Sequence, residues 1–123
     1  MKKLFIVEDD TVVGFVYRTF LEKNGFEIEI ATDGMTGLAR ILETCPDCIL
    51  LDLMLPKMGG VEILKRLRAL ESFAKTPIIV FTNAFVPALV DEAVKAGATK
   101  VFNKLDTKPH MILQVLQEAA GEI

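Results

Sequence analysis

The chain has 123 residues, a length that suits one compact domain; 51% of them are hydrophobic and 25% charged, enough apolar material for one core. The formal net charge of -3 leaves no basic surplus to grip a phosphate backbone, which argues against nucleic-acid binding by this domain alone. No apolar run approaches membrane-spanning length and no signal peptide is visible, so a cytoplasmic protein with no membrane partner is expected.

The first apolar run, Leu4–Val7, reads as a strand and is followed at once by Glu8, Asp9 and Asp10. Val12, Val13, Val16, Phe20 and Leu21 then form a helical stripe, capped by Asp10 or Thr11 and closed by Asn24-Gly25. Phe26–Ile30 alternates with Glu27 and Glu29 and reads as a second strand; Asp33 behind it suits the N-cap of a helix carrying Leu38, Ile41 and Leu42. The third run, Cys48–Leu51, ends in Asp52 and precedes a helix with Val61, Ile63, Leu64, Leu67 and Leu70. The fourth, Ile78–Phe81, ends in Thr82-Asn83, and Pro87 opens a helix with Leu89, Val90, Ala93 and Val94 that stops at Gly97. The fifth, Val101-Phe102, ends in Asn103-Lys104, and Pro109 opens the last helix, with Ile112, Leu113, Val115 and Leu116. Apart from the second, these runs are near-continuously apolar, as strands covered on both faces are. Five strands alternating with five helices predict an α/β fold: a doubly wound, five-stranded parallel sheet.

In such sheets, ligands bind at the carboxyl ends of the strands. There the sequence gathers Glu8, Asp9 and Asp52, a hydroxyl from Thr82 and an ammonium from Lys104. Clustered carboxylates require a cation among them, and an oxygen-only set favours Mg²⁺ over Zn²⁺. A lysine and a threonine opposite such an ion suit the remaining oxygens of a phosphoryl group. An ionised aspartate is itself a nucleophile and forms an aspartyl phosphate, so the single histidine, His110, is no obstacle; it is expected at the surface.

The stretches Ile6-Val7-Glu8-Asp9-Asp10, Pro46 to Gly60 (PDCILLDLMLPKMGG), Pro77-Ile78-Ile79-Val80-Phe81-Thr82, Ala96-Gly97-Ala98 and Lys104 resemble, in order and spacing, the receiver domain of two-component response regulators of the single-domain chemotaxis type. The resemblance runs from Lys2 to about Ala120 and implies a flavodoxin-like strand order 2-1-3-4-5. It implies that Asp52 is the phosphoacceptor. Glu8, Asp9, Asp52 and the backbone carbonyl of Met54 would hold Mg²⁺. Thr82 would be the switch hydroxyl and Lys104 the phosphoryl-binding lysine. The implied donor is a sensor histidine kinase or a histidine phosphotransfer protein. The implied output is a protein target docking on the fourth helix, fifth strand and fifth helix. Residues 1–123 are expected to form a single receiver domain with no output domain, a switch and not a turnover enzyme. The chain departs from the pattern at Leu105, where a proline usually follows the lysine, at Val101, where an aromatic is common, and at Asn83, where a small residue is common. Another loop path or strain after Lys104 is therefore expected. Met54 and Ala84 offer no acid or amide to orient a water, so spontaneous loss of phosphate is expected to be slow.

Four other readings compete. A phosphorylation-impaired interaction module on the same fold would follow from the departures. A flavin carrier would need a Ser/Thr/Gly-rich loop where Glu8-Asp9-Asp10 stands. A haloacid-dehalogenase-type phosphatase would need a second acid where Met54 stands. A redox or zinc role for Cys45-Pro46-Asp47-Cys48 is disfavoured: Cys45 falls at a helix C-terminus, Cys48 starts a buried strand, and no other cysteine exists.

Overall fold

A computed structural model describes residues 2–119; Met1 and residues 120–123, within the single-domain expectation, lie outside the described residues. The elements in order are β1 (Lys2–Val7), α1 (Thr11–Glu22), β2 (Phe26–Ala31), α2 (Gly34–Thr44), β3 (Cys48–Leu51), α3 (Gly60–Arg68), β4 (Ile78–Thr82), α4 (Pro87–Lys95), β5 (Lys100–Asn103) and α5 (Pro109–Ala119). All strand pairs are parallel and the sheet order is β2-β1-β3-β4-β5, as expected. The strand order reverses between β1 and β3, so the chain leaves these two neighbours in opposite directions and opens a crevice at their carboxyl ends.

Alternation along the strands explains the continuous apolar runs. Phe5, Val7, Ile49, Leu51, Ile78 and Val80 face a layer with Leu38, Ile41, Ile63, Leu64, Leu67 and Ala93 from α2, α3 and α4. Leu4, Ile6, Cys48, Leu50, Ile79 and Phe81 face Tyr17, Leu21, Ile112 and Leu116 from α1 and α5. Both faces are covered, so every residue of β3 and β4 is buried. Among the described residues no helix is long and apolar enough to cross a membrane.

Helix starts follow the sequence signals. Asp10 accepts from the Val12 and Val13 amides (2.9 and 3.2 Å). Asp33 accepts from the Thr36 amide at 2.8 Å. Such caps satisfy amides that have no partner inside the helix. Pro87 and Pro109 are the first residues of their helices. Arg68, at the end of α3, donates from Nε to the Gly97 carbonyl (2.9 Å) and from Nη1 to the Phe73 carbonyl (2.6 Å), tying together the turns that lead into β4 and β5.

Several expectations need correction: Leu42, Leu70 and Val94, expected on the helical stripes, are exposed, and Leu70 lies beyond the end of α3. The buried face of α1 is Gly14, Tyr17 and Leu21, while Val12 and Val16 of the expected stripe are exposed. β5 is an edge strand, half-buried with Lys100 exposed, and not covered on both faces. A short 3-10 turn at Glu71–Phe73, which buries Phe73, was not foreseen.

One glycine is fixed by contact between distant segments. The Gly34 amide donates to the Pro56 carbonyl at 3.1 Å, and a β-carbon at Gly34 would lie 1.8 Å from the Met58 carbonyl oxygen. Backbone cannot yield as a side chain can, so Gly34→Ala is expected to cost about 1–3 kcal/mol. At Gly14, inside α1, the nearest atom to an added β-carbon is Ile30 Cδ1 at 3.5 Å, an ordinary contact. Gly14→Ala is expected to be neutral or to stabilise by about 0.5–1 kcal/mol, because glycine is costly in helix interiors. Chemical denaturation of the two variants checks the contrast.

The two cysteines are free thiols, Cys45 exposed at the left-handed residue that ends α2 (φ 48°) and Cys48 buried in β3. Burial pushes the Cys48 thiol up to about 12. Its folded value lies above its ordinary value of 9.0, so it has no effect on stability below pH 9. As pH rises from 9 toward 12, the unfolded thiol ionises and the folded one does not, and stability is lost across that window. A thiol reagent at neutral pH is expected to modify Cys45 at once and Cys48 only on unfolding; equal rates would contradict the burial.

Candidate functional site

Among the described residues, the only buried polar or charged side chains are Glu8, Asp52 and Thr82. All three follow or end strands at the carboxyl edge of the sheet. The Glu8 amide donates to the Ala31 carbonyl (3.0 Å) and the Asp52 amide to the Val7 carbonyl (3.1 Å), so backbone ladders hold both acids beside the β1/β3 crevice. Thr82 is the last residue of β4, and its carbonyl accepts from the Lys104 amide at 3.1 Å, extending the β4–β5 ladder by one residue.

The side chains converge. Glu8 Oε2 accepts from the Asp10 amide at 2.9 Å. Asp52 Oδ1 accepts from the Met54 amide at 3.2 Å and Asp52 Oδ2 from Lys104 Nζ at 2.8 Å. The same ammonium pairs with Glu8 Oε1. It also stands 4.8 Å from the centroid of the Phe81 ring, within cation–π range. Thr82 Oγ1 accepts from the Ala84 amide at 3.1 Å. Asp9 is exposed, yet one carboxylate oxygen from each of Glu8, Asp9 and Asp52 lies within 4.8 Å of the others.

Burial is the main influence on Glu8 and raises its carboxyl above the ordinary range, with Lys104 and the Asp10 amide opposing and Asp52 reinforcing the shift. Burial pulls Lys104 down, but Asp52 and Glu8 outweigh it and hold the ammonium above its ordinary value. Each charge is thus tolerated only because of the others.

The donor set fits a hard divalent cation. Its three carboxylates are all-oxygen ligands. Glu8 Oε1 is fully buried, and among the described residues the Lys104 ammonium is the one group paired with it. A buried carboxylate oxygen in that state has coordination capacity to spare.

Glu8, Asp9, Asp52, Thr82 and Lys104 therefore meet at one edge, and Met54 lies two residues beyond Asp52 on the loop that leaves it. Among the described residues all peptide bonds are trans and no residue from Asn103 to Thr107 has positive φ. The loop after Lys104 is a turn in which Asn103 Oδ1 accepts from the Leu105 amide (3.0 Å). His110 is exposed. Two contributors escaped the sequence reading. Phe81, which lies beneath the ammonium, reads in sequence only as an apolar strand residue. Gly60 donates its amide to the Leu53 carbonyl at 2.9 Å, and an added β-carbon there would lie 2.4 Å from the Asp52 carbonyl oxygen. The Gly59-Gly60 pair at a helix start is the signal that could have marked it.

Residues 4–117 match the family model described as the response regulator receiver domain. The phosphate regulon transcriptional regulatory protein PhoB of Rhizobium meliloti is 35% identical over 126 residues, covering 100% of this chain and 56% of that protein. The chain spans only 34% to 56% of the length of such curated relatives. A CheY-like response regulator receiver domain protein from Methanospirillum hungatei superposes with a TM-score of 0.91 at 29% identity, covering 98% of this chain and 94% of that one. The receiver domain of the sensor histidine kinase PA1611 from Pseudomonas aeruginosa, solved with a magnesium ion coordinated in its active site cleft, superposes with a TM-score of 0.88 at 25% identity over 98% of each chain. With its parallel order, its acidic crevice and this match over nearly its whole length, the chain belongs to the response regulator receiver domains of two-component systems.

Proposed function

We propose that Asp52 is the phosphoacceptor of a signalling switch. The observation that carries this reading is the burial of Glu8, Asp52 and Thr82 at one sheet edge with Lys104 bridging the two acids. A carboxylate oxygen of Asp52 forms a bond to phosphorus as the bond between phosphorus and the donor's imidazole nitrogen breaks, and that nitrogen keeps the electron pair. The donor is a phosphohistidine on a sensor histidine kinase or a histidine phosphotransfer protein. Glu8, Asp9 and Asp52, with the Met54 carbonyl, would hold Mg²⁺, which when bound neutralises charge on the transferring phosphoryl oxygens, as the magnesium in the PA1611 cleft supports. Lys104 follows the new charge from Asp52 Oδ2 to a phosphoryl oxygen, and the Thr82 hydroxyl leaves the Ala84 amide to hydrogen-bond another. Met54, Phe85 and Leu105, exposed on the three loops that leave Asp52, Thr82 and Lys104, give a protein donor apolar surface to bury.

Thr82 ends β4, its carbonyl holds Lys104, and α4 follows with only Ala93 buried, so a shift at Thr82 reaches the lightly anchored α4 and the neighbouring β5 and α5. We place the downstream protein target there. The domain acts as a cytoplasmic switch, changed once per signal and not a turnover enzyme. No observation favours the phosphorylation-impaired alternative, since Leu105, Val101 and Asn83 remove no group from the site.

Incubation with acetyl phosphate and Mg²⁺ is expected to add one phosphoryl group, seen by intact mass. The gain should vanish in Asp52→Asn and on chelation of the metal; undiminished labelling of Asp52→Asn would sink the assignment. Lys104→Met is expected to slow the reaction by about 10²–10³-fold, the scale of losing one preorganised charge-stabilising group. Once formed, the phosphorylated chain should persist for minutes or longer, because neither Met54 nor Ala84 orients a water. A lifetime of seconds, followed by mass or phosphate release, contradicts this.

A further inference from the structure

We propose that Asn103 is a positioning residue for Lys104, fixing the turn that aims its ammonium; the inference rests on the phosphoryl-accepting reading of the site. Lys104 is the first residue beyond β5, and its long, flexible stem must bring Nζ within 2.8 Å of Asp52 Oδ2. Its own amide is fixed by the Thr82 carbonyl at 3.1 Å. On its other side, nothing is fixed by packing: Leu105 is 80% exposed and Asp106 is exposed as well. Order there comes from Asn103. Its side-chain Oδ1 accepts from the Leu105 amide (3.0 Å), and its carbonyl accepts from the Asp106 amide (3.1 Å) and from Thr107 Oγ1 (2.7 Å). Its Nδ2 reaches toward Asp106 Oδ2 at 3.4 Å, a long and weak contact.

The amides on both sides of the Lys104 α-carbon are therefore taken, one by Thr82 and one by Asn103, and the two torsions of Lys104 follow. This restraint sits where the receiver pattern would carry a proline, which has no amide to satisfy. In this chain the amide of Leu105 exists, and the Asn103 side chain captures it. The turn lies on β5, whereas Glu8, Asp9 and Asp52 stand at the ends of β1 and β3 with β4 between. Losing the Asn103 acceptor thus loosens the ammonium and leaves the carboxylates in place.

The test compares Asn103→Ala, which deletes the acceptor, with Asn103→Ser, whose hydroxyl keeps an acceptor without adding charge beside Asp106. Two quantities are read: Mg²⁺ affinity, from the fluorescence of the single tyrosine, Tyr17, and the rate of phosphorylation by acetyl phosphate at saturating Mg²⁺. Asn103→Ala is expected to slow phosphorylation about tenfold, the scale of one hydrogen bond, with no loss of Mg²⁺ affinity. Asn103→Ser should recover most of the rate. A wild-type rate in Asn103→Ala overturns the inference, as does a parallel loss of Mg²⁺ affinity or a failure of Asn103→Ser to recover. If the wild-type chain itself accepts no phosphoryl group, the phosphoacceptor reading falls and takes the inference with it. Should Asn103→Ala not fold, hydrogen exchange in the wild-type chain decides: the Leu105 amide is expected to be protected despite its exposed side chain, and free exchange there refutes the proposal.

Discussion

Two carboxylates, Glu8 and Asp52, are buried side by side with one ammonium between them, and the rest of the molecule is arranged around that arrangement. Buried charges of like sign repel strongly unless opposite charge and hydrogen bonds offset the loss of water. Here the offset comes from four places: Lys104, the Asp10 amide, the Met54 amide and the Phe81 ring face. Each belongs to a different segment. The fold is what brings them within reach, because parallel strands end together and the β1/β3 reversal leaves a crevice where no helix crosses.

The three consecutive acids after β1 show how finely this is divided. Glu8 points inward and is buried, Asp9 remains at the surface with an oxygen near the other two carboxylates, and Asp10 caps α1. The Asp10 amide also supports Glu8, so the helix start and the acidic site share one residue. On the other side of the crevice, the loop from Asp52 to Gly60 is pinned by the Gly34 amide on α2 and by its own Gly60–Leu53 bond. The crevice is therefore framed by two helix starts and a stiff loop, and its geometry does not depend on long side chains, Lys104 apart.

Much of this was legible in the chain itself. Strand ends can be read because each apolar run stops at a polar residue, and parallel topology puts those residues on one edge. That places Glu8, Asp52, Thr82 and Lys104 together. What escaped has identifiable causes. Apolar residues surround almost the whole of α1, Phe15 and Tyr17 included, so no polar face fixes its phase, and the helical spacing points Val12 and Val16 inward although they are exposed. β5 is two apolar residues between Lys100 and Asn103, too short to tell an edge strand from a central one. The contact of Gly34 with the Met58 carbonyl joins segments far apart in sequence, and a lone glycine announces no partner. The roles of Leu105 and Asn103 were hidden for a related reason: a departure from a pattern says what is missing, and only the hydrogen bonds show what replaced it.

The bond from the Lys104 amide to the Thr82 carbonyl has one more consequence. It makes the hydroxyl-bearing and ammonium-bearing residues neighbours on a single ladder, so their backbones behave as one mechanical body. A hydroxyl rotation can be silent, confined to one torsion. A displacement of the Thr82 backbone cannot, because it drags the root of the lysine stem with it. Any displacement at the end of β4 would therefore reach the hold of Lys104 on Asp52 through the ladder that joins these two strands.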